Sequence, residues 1–107
     1  ADDPFMRFYA LNNLGTAEMD TGDYQSSYEH FQKMREIAQQ QNIPFWIAVS
    51  EQSLGEVHHF LGDSKLSQQH LETAGEMYLE MGNTEQLREM LGRANSFGYN
   101  IEFDSFK

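Results

Sequence analysis

The chain has 107 residues, 39% of them apolar and 13% aromatic, enough for one domain with a core and too few for two. Seventeen Asp and Glu against seven Lys and Arg give a formal charge of -10. That argues against a nucleic-acid binder, which neutralises phosphates with cations, and against docking on an anionic membrane. There is no cysteine, so there is neither a disulfide framework nor a thiolate zinc site. The longest apolar run, Ile43 to Val49, has seven residues where a membrane-spanning helix needs about 20. No charged-then-apolar leader opens the chain. It begins at Ala1, as a fragment or a processed form would, and a cytoplasmic location is expected.

Apolar residues recur at steps of three and four, which places them on one face of a helix. The first stripe is Ala10, Leu14 and Ala17, with Leu11 beside them, in a predicted helix near 5–21. The second is Tyr24, Tyr28, Phe31, Met34 and Ala38, in 24–42. Ile47, Ser50, Leu54, Val57 and Leu61 mark 45–61, and Leu71, Ala74, Tyr78 and Met81 mark 64–81. Leu87, Met90, Leu91 and Ala94 mark 84–97, and a tail follows Gly98. Gly22, Gly62, Gly82 and Gly98 each stand just past a stripe, where glycine closes a helix in the left-handed conformation. Asp23, Asp63 and Asn83 come next as N-caps, Asn83 with Gln86 forming a relaxed capping box. Pro44 is tolerated in a first turn.

An internal repeat runs through these elements. Leu14-Gly15 and Gly22-Asp23 recur as Leu54-Gly55 and Gly62-Asp63, all at a spacing of 40. Ser27 and Ser67, Phe31 and Leu71, Met34 and Ala74, and Ile37 and Met77 follow at the same shift. Short turns force consecutive helices antiparallel. Leu-Gly in the first helix of each pair lets the second approach closely, and stacking the hairpins completes a core that one hairpin cannot bury.

These residues resemble the tetratricopeptide repeat family. Leu14-Gly15, Gly22-Asp23-Tyr24, Ser27 and Phe31 match its pattern in the first repeat. Leu54-Gly55, Leu61-Gly62-Asp63, Ser67, Leu71 and Ala74 match it in the second. The 40-residue spacing is similar to the longer-helix variant of kinesin light chains and bacterial regulators. The chain departs from the pattern at Ser27 and Ser67, where the family prefers Ala, and at Glu18 and His58, where it prefers an aromatic. The resemblance implies an all-α, antiparallel helix-hairpin stack with a right-handed superhelical tendency. It forms one domain over 1–107: repeat 1 near 5–42, repeat 2 near 45–82, a capping helix 84–97 and an extended tail 98–107. Two complete repeats fall short of the ~3 a stable stack needs. Either a longer protein or association with copies of itself is therefore expected.

The resemblance also implies a function. Family members bind peptide or protein segments in a concave groove lined by the first helix of each pair. Here that groove takes Tyr9, Asn12, Asn13, Thr16 and Asp20 from the first repeat. Val49, Gln52, Ser53, Glu56 and Phe60 come from the second, and Glu89 and Arg93 from the fifth helix. Asn and Gln both donate and accept, which suits reading an extended main chain. A known use of the fold clamps a C-terminal carboxylate with Lys, Arg and Asn. Asn13 fits the Asn part, but Thr16, Gln52 and Ser53 lack the charge and Arg93 is a single cation. A neutral or basic segment is the expected partner, since the net charge speeds encounter with cations.

Other features read as structural. Adjacent His58 and His59 point about 100° apart on a helix, and His30 and His70 lie in other helices, so no metal is expected. Glu72, Glu76 and Glu80 form one solvated ridge whose like charges repel weakly. No nucleophile elbow, phosphate loop or dinucleotide fingerprint is present, so neither catalysis nor a cofactor is expected. Tyr99, Ile101 and Phe103 alternate with polar residues, and Phe106 follows. That segment either folds back over the last helix or occupies a neighbour's groove. Phe5, Phe8, Tyr9 and Phe45-Trp46 at the other end are further sticky aromatics. They motivate an alternative function as a self-association unit, a possible homo-oligomer.

Overall fold

The computed structural model describes residues 3–103. Five helices run in chain order: α1 (Pro4–Asp20), α2 (Tyr24–Gln41), α3 (Pro44–Phe60), α4 (Ser64–Glu80) and α5 (Thr84–Ser96). Each terminus lies within one residue of the position read from the sequence. The caps explain why. The Asp3, Asp63 and Asn83 side chains accept from the backbone N–H of Phe5, Leu66 and Gln86 at 3.0, 3.1 and 3.2 Å. Asp23 begins α2 without such a bond. Gly22, Gly62 and Gly82 hold φ of 90°, 90° and 71°. That turn lets the next backbone N–H reach back to Glu18, His58 and Tyr78 at 2.8–3.0 Å. Between α2 and α3, where there is no glycine, Asn42 takes the left-handed role at φ 54°.

The helices pack in two layers, and the molecule measures 45 × 30 × 18 Å. The short dimension is about two helix diameters. Each hairpin closes at a glycine. A Cβ on Gly15 would lie 2.5 Å from Cε1 of Phe31, and one on Gly55 would lie 2.8 Å from Cγ of Leu71. The Ser27 hydroxyl donates to the Gly15 carbonyl at 2.7 Å, and Ser67 donates to that of Gly55 at 2.5 Å. Serine at these buried positions therefore pins the glycine of the facing helix. A third Leu-Gly pair, Leu91-Gly92 in α5, escapes the 40-residue register, and a Cβ there would meet nothing within 4 Å.

Phe8, Phe31, Met34, Trp46, Leu54 and Val57 form one core cluster. Leu71, Tyr78, Leu87, Met90, Ala94 and Tyr99 form the other. The structure corrects the first stripe. α1 buries Phe8, Gly15 and Met19, whereas Ala10, Leu14 and Ala17 face outward. Their counterparts Ser50, Leu54 and Val57 are buried because α2 packs across α3. The tail turns at Gly98 (φ 89°) and folds back: Tyr99 is buried, and the Phe103 ring lies against Gly75. Over 98–103 it covers the end of its own stack. Phe106 lies outside the described residues.

Candidate functional site

α3 carries the centre of the face formed by the first helices. Steps of four put Gln52, Glu56 and Phe60 on one ridge. Tyr78 Oη, reaching across from α4, donates to Gln52 Oε1 at 3.0 Å, and Gln52 Nε2 donates to Glu56 Oε2 at 2.9 Å. The other Glu56 oxygen pairs with Arg93 Nε of α5 at 3.3 Å. The Arg93 guanidinium lies over the Phe97 ring, 5.2 Å from its centroid. A continuous polar chain thus joins three helices. Burial raises the Glu56 carboxyl above its ordinary range; the Gln52 bond and the Arg93 charge counter this, and the Glu89 charge adds to it. Burial and the same two carboxylates push the Tyr78 hydroxyl well up.

Aromatic clusters bound this polar centre. At the start of α1 and α3, Phe8 stacks on Trp46 at 4.4 Å, with Tyr9 edge-on to Trp46 and Phe5 tilted against it. At the other end of α3, Phe60 stacks on Tyr24 at 5.1 Å and meets the edge of Phe97. Phe97 in turn stacks on His59 at 3.9 Å, and His59 Nδ1 bonds Tyr99 Oη at 2.7 Å. Of the groove residues read from the sequence, Gln52, Glu56 and Arg93 come into direct contact. Tyr9 and Phe60 stand at opposite ends, in separate clusters. Asn13, Thr16, Asp20 and Glu89 are exposed, and Asn12 and Ser53 are half-buried. Val49 packs against the first core cluster. Sequence spacing places Tyr78 in a core stripe, where it is buried, but does not single out its hydroxyl or the His59, Phe97 and Tyr24 rings for the site. Their meeting depends on how helices cross.

The tetratricopeptide repeat profile matches residues 7–80. The chain belongs to this family. No curated protein and no solved structure matches it.

In this tetratricopeptide repeat protein the equivalent positions of the two repeats are wired differently. His30 pairs with Glu18 at 2.6 Å in the first. In the second the same positions hold His70 and His58, whose rings stack at 5.4 Å. Spacing along the chain does not connect His58 with His70; the hairpin geometry does. His70 bonds Glu51 at 2.7 Å, and Arg35 of α2 reaches the other Glu51 oxygen at 3.3 Å. Burial alone would raise the Glu51 carboxyl, but the His70 bond and charge, with Arg35, hold it below its ordinary value. Burial, then the charges of His70 and Arg35, hold His58 low against the opposing pull of Asp63. Among the described residues, no group of three or more His, Asp or Glu is placed to hold a metal ion. None of their helices is long and apolar enough to cross a membrane. Repeats of this family mediate protein–protein interaction, and the site is built of groups that bind through hydrogen bonds, charge and ring faces.

Proposed function

We propose that this tetratricopeptide repeat protein is a noncatalytic interaction module that takes an extended, neutral or basic segment across α1, α3 and α5. The observation that carries the reading is the Tyr78–Gln52–Glu56–Arg93 chain. Its internal bonds hold polar side chains of α3 and α5 in fixed positions at one face. Preorganised polar groups lower the ordering cost of binding. Asn12, Asn13 and Thr16 extend the face on α1. Glu89 and Asp20 add exposed negative charge, which favours a cationic ligand. The aromatic ends offer apolar anchors.

The test is to select peptides from a random display library on the immobilised chain and titrate the winners. Asn12→Ala with Asn13→Ala should weaken them about tenfold or more, equivalent to about 1.4 kcal/mol. Glu89→Lys should selectively weaken the basic ones. Affinity unchanged in both variants would sink this mapping. A second reading, self-association, is favoured by the exposure of Phe5, Met6 and Leu14 on α1.

A further inference from the structure

We infer that Gln52 sets the direction in which a bound segment lies, and that the Tyr78 hydroxyl and the Glu56 carboxylate are the positioning groups that hold its amide in one orientation. This rests on the groove reading and names what that site recognises: the main chain of an extended segment, read at one residue.

The two ends of a primary amide are nearly the same size, so packing does not distinguish an amide from its flipped form. Hydrogen bonds do. Gln52 is bonded at both ends. Its Nε2 donates to Glu56 Oε2 at 2.9 Å, and its Oε1 accepts from Tyr78 Oη at 3.0 Å. An ionised carboxylate only accepts, so Glu56 takes the nitrogen end. Arg93 Nε, 3.3 Å from the other Glu56 oxygen, favours that ionised form against the burial that opposes it. A tyrosine hydroxyl both donates and accepts, and Tyr78 turns its proton to the oxygen that is left. The place of that hydroxyl is itself fixed. The Tyr78 ring is fully buried in the second core cluster, 6.4 Å from the Phe45 ring. Burial and the charges of Glu56 and Glu89 keep its proton on.

The first repeat shows what the lock requires. Gln52, Glu56 and Tyr78 correspond at the 40-residue shift to Asn12, Thr16 and Ala38. Threonine donates as readily as it accepts, and alanine has no hydroxyl. Those positions therefore commit the Asn12 amide to neither orientation. The polarity of Gln52 is a property of the second repeat.

The internal bonds leave Gln52 one N–H and one oxygen lone pair, side by side. The side chain is half-buried, so it keeps contact with solvent. An extended residue presents its own N–H and C=O on one side of the chain. Its C=O can take the amide N–H while its N–H meets the amide oxygen. Turned end for end, the same segment sets donor against donor and acceptor against acceptor. Asn13, exposed on α1, can turn its amide to suit either direction. Gln52 cannot.

The probe is the tightest peptide selected from the random library on the parent chain, N-methylated at one backbone N–H at a time. One methylation should weaken binding about tenfold or more, equivalent to about 1.4 kcal/mol. The same methylation should cost nothing in Gln52→Ala. In Tyr78→Phe, which keeps the buried ring, its cost should shrink to about threefold or less. Without ligand, the two Gln52 side-chain amide protons should differ in the heteronuclear NMR spectrum of the parent. The one bonded to Glu56 should exchange slowly with water, and Tyr78→Phe should speed it. Two protons that exchange equally fast overturn the lock. A methylation cost as large in Tyr78→Phe as in the parent overturns the role of Tyr78. No methylation coupled to Gln52→Ala, in a peptide that Asn12→Ala with Asn13→Ala still weakens, overturns the role of Gln52 and leaves the groove standing. A peptide indifferent to all three changes, or a library without a binder, overturns the groove as well.

Discussion

At Gly15 one methyl group decides between two opposing effects. Alanine stabilises a helix interior by about 1 kcal/mol over glycine. Here its Cβ would fall 2.5 Å from the fully buried Phe31 ring, and overpacking of this kind costs about 1–3 kcal/mol. Gly15→Ala should therefore lower the urea midpoint. Gly92→Ala should raise it by the equivalent of about 0.5–1 kcal/mol, because that Cβ meets nothing. Equal effects of the two substitutions would mean that Phe31 simply moves aside. Ser27→Ala should cost only about 1 kcal/mol, the net worth of one hydrogen bond.

At the scale of elements, the junction of α2, α3 and α4 carries an acid sensitivity. His58 titrates below its ordinary value of 6.5 in the folded chain. The unfolded chain thus takes up that proton first as pH falls. The stability at stake is complete above about pH 6.5. It is lost progressively as pH drops towards the depressed folded value. Glu51 acts in a lower window: held below 4.5, its contribution is complete above that value and disappears as pH falls through its folded pKa. Melting temperatures of the parent and His58→Asn at pH 7.5 and pH 5.5 separate the two. The parent should lose more on acidification than the variant. A parallel fall in both would remove His58 from the account.

For the whole molecule, the two ends of the stack differ. At the C-terminal end Tyr99 fills a buried site and bonds His59. Tyr99→Ala should lower stability by about 3 kcal/mol, as for other buried aromatics cut to alanine, while Tyr99→Phe should cost about 1 kcal/mol. Neither should change the assembly size if copies meet through α1. A dimer lost in Tyr99→Phe, with the monomer still folded, would move the interface to the tail.

Helix positions were legible in the sequence because their signals are local. Stripes at three and four residues, a glycine past each stripe and a polar cap beyond it act within a few positions. The repeat was legible because Leu-Gly and Gly-Asp return in register, and close approach at Gly15 and Gly55 follows from the missing Cβ. Groove residues were legible as positions on a helix. Which of them touch was not: Glu56 and Arg93 are 37 residues apart, and only the stacking of α3, α4 and α5 brings them to 3.3 Å. The same holds for His58 against His70 and for the Tyr78 hydroxyl. Leu14 and Leu54 occupy the same place in the same local pattern, yet one is 47% exposed and the other 1%. Periodicity shows that a helix has an apolar face. Whether another helix covers that face is decided only by tertiary packing, because burial depends on neighbours distant in the chain.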